Sequence, residues 1–145
     1  MLAEFWNSLT LCKRLYGRLL APVCGRYGLT RMELDILLFL ANNEGFDTAA
    51  DIIARRRLTK SHVSVSIKRL EGAGYVERRF NPGNRKAAHL ALLPPAQPAV
   101  AAGRAAQADF VQALLQGFTP EEAQTVSDAF IKMARNVRGA LAEEP

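Results

Sequence analysis

The chain has 145 residues, with 19 Lys and Arg against 14 Asp and Glu, a formal net charge of +5, and a composition 49% hydrophobic and 23% charged. That balance excludes a disordered chain and suits one domain, or one lobe plus helices that need a partner. No apolar run approaches the roughly 20 residues of a membrane span, and Met1 to Leu11 carries Glu4 and no basic stretch, so neither a membrane protein nor a secretory leader is expected and the cytoplasm is the expected location.

Phe5, Leu9, Cys12, Tyr16, Leu19 and Val23 recur at helical spacing, which predicts an amphipathic first helix. Pro22 should kink or end it, with Gly25 just beyond. Cys12 and Cys24 lie in this segment, and a structural disulfide is not expected in a reducing compartment. They read either as two buried, small apolar groups or as redox-sensing thiols whose thiolates Arg14 and Arg26 would favour. Thr30-Arg-Met-Glu33 is a capping box, hydroxyl and carboxylate each satisfying a free amide. The helix it opens, roughly 31–42, is apolar on most sides (Met32, Leu34, Ile36, Leu37, Leu38, Phe39, Leu40) and belongs at the centre of the fold.

A second capping box, Thr48-Ala-Ala-Asp51, opens a helix with Ile52, Ile53 and Ala54 facing inward and Arg55-Arg56-Arg57 at its end. Thr59 is placed to cap a further helix to about Glu71, with Val63, Ile67 and Leu70 on one face and Gly72 and Gly74 supplying a left-handed exit. Tyr75 to Phe80 turns strand-like, Asn81-Pro82-Gly83-Asn84 is a dense turn signal, and Ala87 to Leu93 pairs back. Pro94, Pro95 and Pro98 bar a helix until position 97 or 98, after which an Ala-rich helix runs to Gln116. Thr119, Pro120 and Glu122 mark the start of the last helix, whose apolar set is Val126, Ala129, Phe130, Met133 and Val137. Glu143-Glu144-Pro145 should fray.

The expected fold is mainly α with a small β-hairpin wing: a winged helix-turn-helix at 29–94, flanked by dimerisation helices at 1–28 and 95–145 in one intertwined domain. One small lobe cannot bury all the apolar stripes of the outer helices, which predicts a homodimer.

Between Asp51 and Lys86 the chain carries ten Lys and Arg against three Asp and Glu, a net of +7, while the other 109 residues net −2. Clustered positive charge on a helix-turn-helix and hairpin is what displaces counterions from a duplex. Opposite Val63, Ile67 and Leu70, the segment from Thr59 presents Lys60, Ser61, Ser64, Val65, Lys68 and Arg69, with His62 nearby. Short hydroxyls and one small apolar side chain allow close approach to base edges, and the cations reach phosphate or guanine. Arg85 and Lys86 follow the hairpin turn. An arginine there either enters a narrow minor groove or is an exposed turn charge without consequence. Arg78 and Arg79 point to opposite faces of a strand, so at most one, Arg78, faces DNA.

Catalytic constellations are missing. Neither His62 nor His89 has a cysteine or carboxylate at ligand spacing, so no metal is expected, and there is no Walker sequence, dinucleotide fingerprint or nucleophile arrangement. An enzyme is not expected, nor a cofactor. Sequence-specific recognition of double-stranded DNA is the leading reading; the alternative is a winged-helix module that holds proteins or organises DNA without regard to sequence.

These residues in this order resemble the MarR family (multiple antibiotic resistance regulators) of winged-helix transcription factors. Leu29-Thr30 resembles the opening of its second helix. Leu58-Thr-Lys-Ser-His-Val-Ser, Lys68-Arg-Leu-Glu71 and Gly74-Tyr-Val-Glu-Arg78 resemble its recognition helix and first wing strand. Asn81-Pro-Gly-Asn-Arg-Lys86 resembles its wing, and Leu114-Leu-Gln-Gly-Phe-Thr-Pro-Glu-Glu122 the link into its last helix. The resemblance implies a homodimer, built by the first and the last two helices, on a pseudo-palindromic operator, usually repressing nearby genes. It also implies release by a small apolar or aromatic effector in a cleft lined by residues such as Tyr16, Leu19 and Phe39. Other branches sense zinc through histidines that the dimer helices here lack, or oxidants through a first-helix cysteine, of which Cys12 beside Tyr16 is a loose counterpart. The chain departs from the family at Asn84, where an acidic residue is common, at Val65, where a longer side chain is common, and at the prolines that open the fifth helix.

Overall fold

The computed structural model describes residues 1–56 and 58–142; Arg57 and the expected fraying of Glu143 to Pro145 lie outside them. The elements are α1 (Leu2–Tyr27), α2 (Arg31–Asn42), α3 (Ala49–Arg56), α4 (Lys60–Gly72), β1 (Val76–Asn81), β2 (Asn84–Leu92), a 3-10 turn (Pro94–Ala96), α5 (Gln97–Leu114) and α6 (Pro120–Ala142). The mainly α fold with a hairpin wing is as the sequence predicts. The chain divides into two compact units, Met1–Phe110 and Val111–Pro145.

The first unit holds the core. Leu34, Ile36, Leu37, Leu38 and Phe39 of α2 are buried among Leu20 and Val23 of α1, Ile52 of α3, Val63, Ile67 and Leu70 of α4, Val76 and Leu90 of the hairpin, and Ala96, Ala99 and Val100. Each fully buried Leu or Ile contributes about 1.5–3 kcal/mol relative to exposure, so α2, buried on most sides, is the post around which the lobe is built. Gly103 lets α5 approach it closely: a Cβ there would lie 2.8 Å from Leu38 Cδ2.

The helix ends follow local chemistry, with several differences from the sequence reading. α1 runs through Pro22 and past Gly25, ending at Gly28 in the left-handed conformation (φ 64°). Pro22 and Arg18, whose carbonyl loses the amide that proline lacks, are both exposed, so the missing hydrogen bond falls on the exposed side of the helix. The Gly28 and Leu29 amides both donate to the Cys24 carbonyl, and Leu29 is buried, which seals the end.

At the start of α2 only half of the expected capping box forms. The Glu33 amide donates to Thr30 Oγ1 at 3.1 Å, but the Glu33 carboxylate is buried and faces Arg69 Nη1 at 3.6 Å. The box at Thr48 and Asp51 is reciprocal: the Thr48 amide donates to Asp51 Oδ2 (3.1 Å) and the Asp51 amide to Thr48 Oγ1 (3.1 Å). In α3, Ile52 is buried but Ala54 is exposed, because a helix of eight residues presents only a narrow stripe inward. Thr59 occupies the N-cap of α4 without a side-chain bond. α4 closes with the amides of Gly74 and Tyr75 on the carbonyls of Glu71 and Leu70, and Gly74 has φ 74°.

The return strand of the hairpin begins three residues earlier than expected. β2 begins at Asn84, paired with Asn81 across Pro82-Gly83, and Gly83 (φ 83°) takes the turn position closed to other residues. Thr48 adds one antiparallel bridge to His89, a third-strand contact absent from the sequence reading. The prolines at 94 and 95 form the 3-10 turn rather than a gap, and α5 ends at Leu114, two residues early.

In the second unit the box at α6 is complete, the Thr119 amide donating to Glu122 Oε2 (2.8 Å) and the Glu122 amide to Thr119 Oγ1 (3.2 Å). α6 buries no residue: Phe130, Ile131, Met133 and Val137 are all exposed.

Candidate nucleic-acid interface

α4 owes its two faces to sequence spacing. Val63, Ser66, Ile67 and Leu70 are buried, which leaves Lys60, Ser61, His62, Ser64, Val65, Lys68 and Arg69 exposed, with Thr59 exposed just before them. Ser61, Ser64, Val65 and Lys68 stand three, four and seven residues apart and so share one side. Val65 is 59% exposed, an apolar side chain with nothing to bury it in the free lobe.

The cations of this lobe fall into two groups that the sequence does not distinguish. Several are held by carboxylates or an aromatic ring. Arg56 lies 3.7 Å from Asp35, which also accepts from Arg31 Nε at 3.0 Å. Arg69 faces Glu33, Arg78 Nε donates to Glu71 at 2.6 Å, and Arg79 donates to Glu77. The Arg55 guanidinium sits 3.5 Å from the Phe46 ring centroid. By contrast, among the described residues Lys60, Lys68, Arg85 and Lys86 form no ion pair. All four are exposed; two lie on α4 and two at the wing tip. Exposed ion pairs contribute only about 0–1 kcal/mol, so Arg78 can exchange its carboxylate for a phosphate at small cost. Arg69 guards a buried carboxylate and is less free to leave.

The wing tip is shaped around Arg85, which lines a shallow concavity with Phe80, Asn81, Pro82 and Gly83. Asn84 Oδ1 accepts from the Lys86 amide at 3.1 Å. Asn84 therefore orders the turn as an acidic residue would, without placing a negative charge beside Arg85 and Lys86.

The residues named for an effector cleft lie apart in burial. Phe39 is in the core and Leu19 is half-buried. Tyr16 joins three helices: its ring lies 5.3 Å from that of Phe110, the Arg31 guanidinium is 4.8 Å from its centroid, and its hydroxyl accepts from Gln107 Nε2 at 2.9 Å. Gln107 Oε1 in turn accepts from Asn42 Nδ2 at 3.0 Å.

Cys12 and Cys24 are free and half-buried. Twelve positions apart on α1, they are separated by about 18 Å, too far for a disulfide within one chain. Burial pushes the Cys24 thiol above its ordinary range, against a smaller opposing pull from Arg31. The cation that acts on it is thus Arg31, not the sequence neighbours Arg14 and Arg26, and it does not prevail.

His62 is exposed on α4, while His89 has a carboxylate after all: Nδ1 lies 2.6 Å from Asp47 Oδ1, a partner 42 positions away that no spacing rule reveals. Among the described residues no group of three or more His, Cys, Asp or Glu is placed to hold a metal ion, and no helix is long and apolar enough to cross a membrane.

Residues 27–87 match the model of the MarR family, so the resemblance read from the sequence is borne out across the winged-helix lobe. The fold as a whole is that of solved MarR proteins. The crystal structure of MarR is 18% identical, covering 95% of this chain and 93% of its own, with a TM-score of 0.76. A MarR family regulator from Listeria monocytogenes, solved in complex with a 26mer DNA, is 17% identical over 94% of this chain and 88% of its own, TM-score 0.77. BpsR of Bordetella bronchiseptica, whose DNA binding is regulated by 6-hydroxynicotinic acid, is 16% identical over 90% of this chain and 98% of its own, TM-score 0.68. No curated protein sequence matches the chain.

Proposed function

We propose that this chain, whose residues 27–87 carry the MarR family pattern, is a cytoplasmic, dimeric, sequence-specific DNA-binding repressor released from its operator by a small apolar or aromatic effector. The observation that carries the DNA reading is the set of uncompensated cations Lys60, Lys68, Arg85 and Lys86, placed on the exposed face of α4 and at the tip of the wing. α4 enters the major groove, where Ser61, Ser64 and Val65 approach base edges while Lys68 meets phosphate. The wing tip carries Arg85 to the minor groove, drawn by its negative potential. The Listeria regulator captured on DNA supports this reading.

Two copies are needed, because α6 has an apolar stripe with nothing in its own unit to bury it. Helices α1, α5 and α6 pack against those of a second copy, and the resulting symmetry calls for a pseudo-palindromic operator. An effector near Tyr16 meets an aromatic pair and the Arg31 cation, a setting suited to a planar aromatic acid; BpsR, regulated by such a compound, supports that class. Ligand there shifts the pair of α4 helices away from the ~34 Å spacing of adjacent major grooves.

The test is selection from a random-sequence duplex pool. The expected result is an enriched two-fold motif bound with a steep salt dependence. Enrichment of no motif, with equal affinity for all duplexes, overturns the proposal.

A further inference from the structure

The wing is a two-stranded hairpin whose outer half is exposed, and such a ribbon holds a fixed direction only if something outside it takes hold. Val76 and Leu90 seat its base in the core, and nearer the turn the hold falls to His89. On the backbone, Thr48 bridges His89 and the Leu90 amide donates to the Asp47 carbonyl at 2.8 Å. On the side chain, His89 Nδ1 is hydrogen-bonded to Asp47 Oδ1 at 2.6 Å, and Nε2 to Asn81 Nδ2 at 3.3 Å. Asn81 is the last residue before the Pro82-Gly83 turn, where the strand register is irregular. One imidazole therefore links the residue before Thr48, which caps α3, to the base of the turn that presents Arg85 and Lys86.

From this geometry we infer that His89, with Asp47, is a positioning residue for DNA recognition: it fixes the angle of the wing to the helix-turn-helix, so that Arg85 reaches the groove while α4 is seated. The inference rests on the DNA-binding reading above. It assigns His89 no contact with DNA; the residue acts through Arg85. A hairpin without the clamp of His89 side-chain bonds keeps its strand pairing, its backbone bridge to Thr48 and its charge but samples directions in which Arg85 misses the groove, so the arginine contact is made only after an ordering cost. Contacts from α4 do not depend on the clamp, because α4 is held by Val63, Ile67 and Leu70 in the core.

A double-mutant cycle reads this coupling directly. The probe is a duplex selected by the wild-type protein, titrated by fluorescence anisotropy at fixed salt. In the wild type, Arg85→Ala is expected to weaken binding on the order of 10-fold. In a His89→Phe background, which fills the space but removes both hydrogen bonds, Arg85→Ala is expected to cost no more than about 2-fold. Lys68→Ala should cost the same in either background. Asp47→Ala opens the clamp from the other side and is expected to repeat the His89→Phe result, which keeps the test available should either variant fold poorly. Equal Arg85→Ala losses in the clamped and unclamped proteins overturn the inference. So does a Lys68→Ala loss that shrinks alongside that of Arg85, since that marks general damage rather than wing positioning. A wild-type protein that selects no duplex overturns the DNA-binding reading itself, and this inference with it.

Discussion

Arg69→Ala and Lys68→Ala are neighbouring changes on one helix, and they should produce opposite kinds of defect. Arg69 is paired with Glu33, whose side chain is only 8% exposed, at 3.6 Å. Removing it leaves a buried carboxylate without its cation. Breaking a fully buried pair costs about 3–5 kcal/mol, whereas an exposed pair is worth about 0–1 kcal/mol. With Arg69 itself 66% exposed, water partly replaces it, and the expected loss is about 1–2 kcal/mol. Lys68 has no such partner, so Lys68→Ala should leave stability within about 0.5 kcal/mol while weakening every duplex alike and flattening the salt slope by roughly one unit.

Urea unfolding followed by circular dichroism supplies the first quantity and anisotropy titrations at several salt concentrations the second. Glu33→Gln provides the control: it removes the stranded charge without touching the Thr30 cap, which uses only the Glu33 amide, so the pair Arg69→Ala with Glu33→Gln should recover most of the lost stability. If Arg69→Ala leaves the unfolding midpoint unchanged and lowers the salt slope as Lys68→Ala does, Arg69 serves phosphate rather than Glu33, and the division of the cations argued above is wrong.

Gly103→Ala gains up to about 1 kcal/mol of helix propensity but forces a Cβ against the buried Leu38 at 2.8 Å, an overpacking cost of about 1–3 kcal/mol; thermal melts should show net destabilisation, larger for Gly103→Leu. Phe130→Asp places a charge in the proposed α6 interface, at a cost of several kcal/mol, and should abolish dimer and DNA binding together in sedimentation and anisotropy; a stable dimer would remove α6 from the interface. For Cys24, burial makes the folded thiol hold its proton more tightly than the unfolded chain does. Alkylation at neutral pH should therefore lag that of an unfolded control, and the thiol's contribution to stability should be intact at neutral pH and lost as pH rises beyond the ordinary thiol value of 9.0. Peroxide should leave operator binding unchanged, and a peroxide response that Cys12→Ser with Cys24→Ser abolishes would replace the effector reading with a redox switch.

Features that depend on neighbours a few residues apart are legible in the chain alone. Helix starts at Thr30, Thr48 and Thr119, the Gly74 exit and the Pro82-Gly83 turn follow from hydrogen bonds and backbone angles settled within a turn of chain. The apolar spacing of α2 and α4 likewise marked the core face and the exposed face in advance, and the charge excess between Asp51 and Lys86 located the candidate interface. Even so, local signals did not fix where α1 ends: it continues through Pro22 and past Gly25 to the left-handed Gly28.

Which charges remain available depends largely on how the helices and hairpin pack. Glu33 reads as half of a cap until the packing of α2 against α4 brings Arg69 to it, and Arg56 meets Asp35 of another helix. Likewise Asp47 and His89, 42 positions apart, became a clamp only when β2 folded back onto the loop before α3. Coulomb and hydrogen-bond energies fall off over a few ångströms. Position along the chain does not supply that distance for residues tens of places apart, and the free cations of the wing and α4 emerge only once those pairings are known.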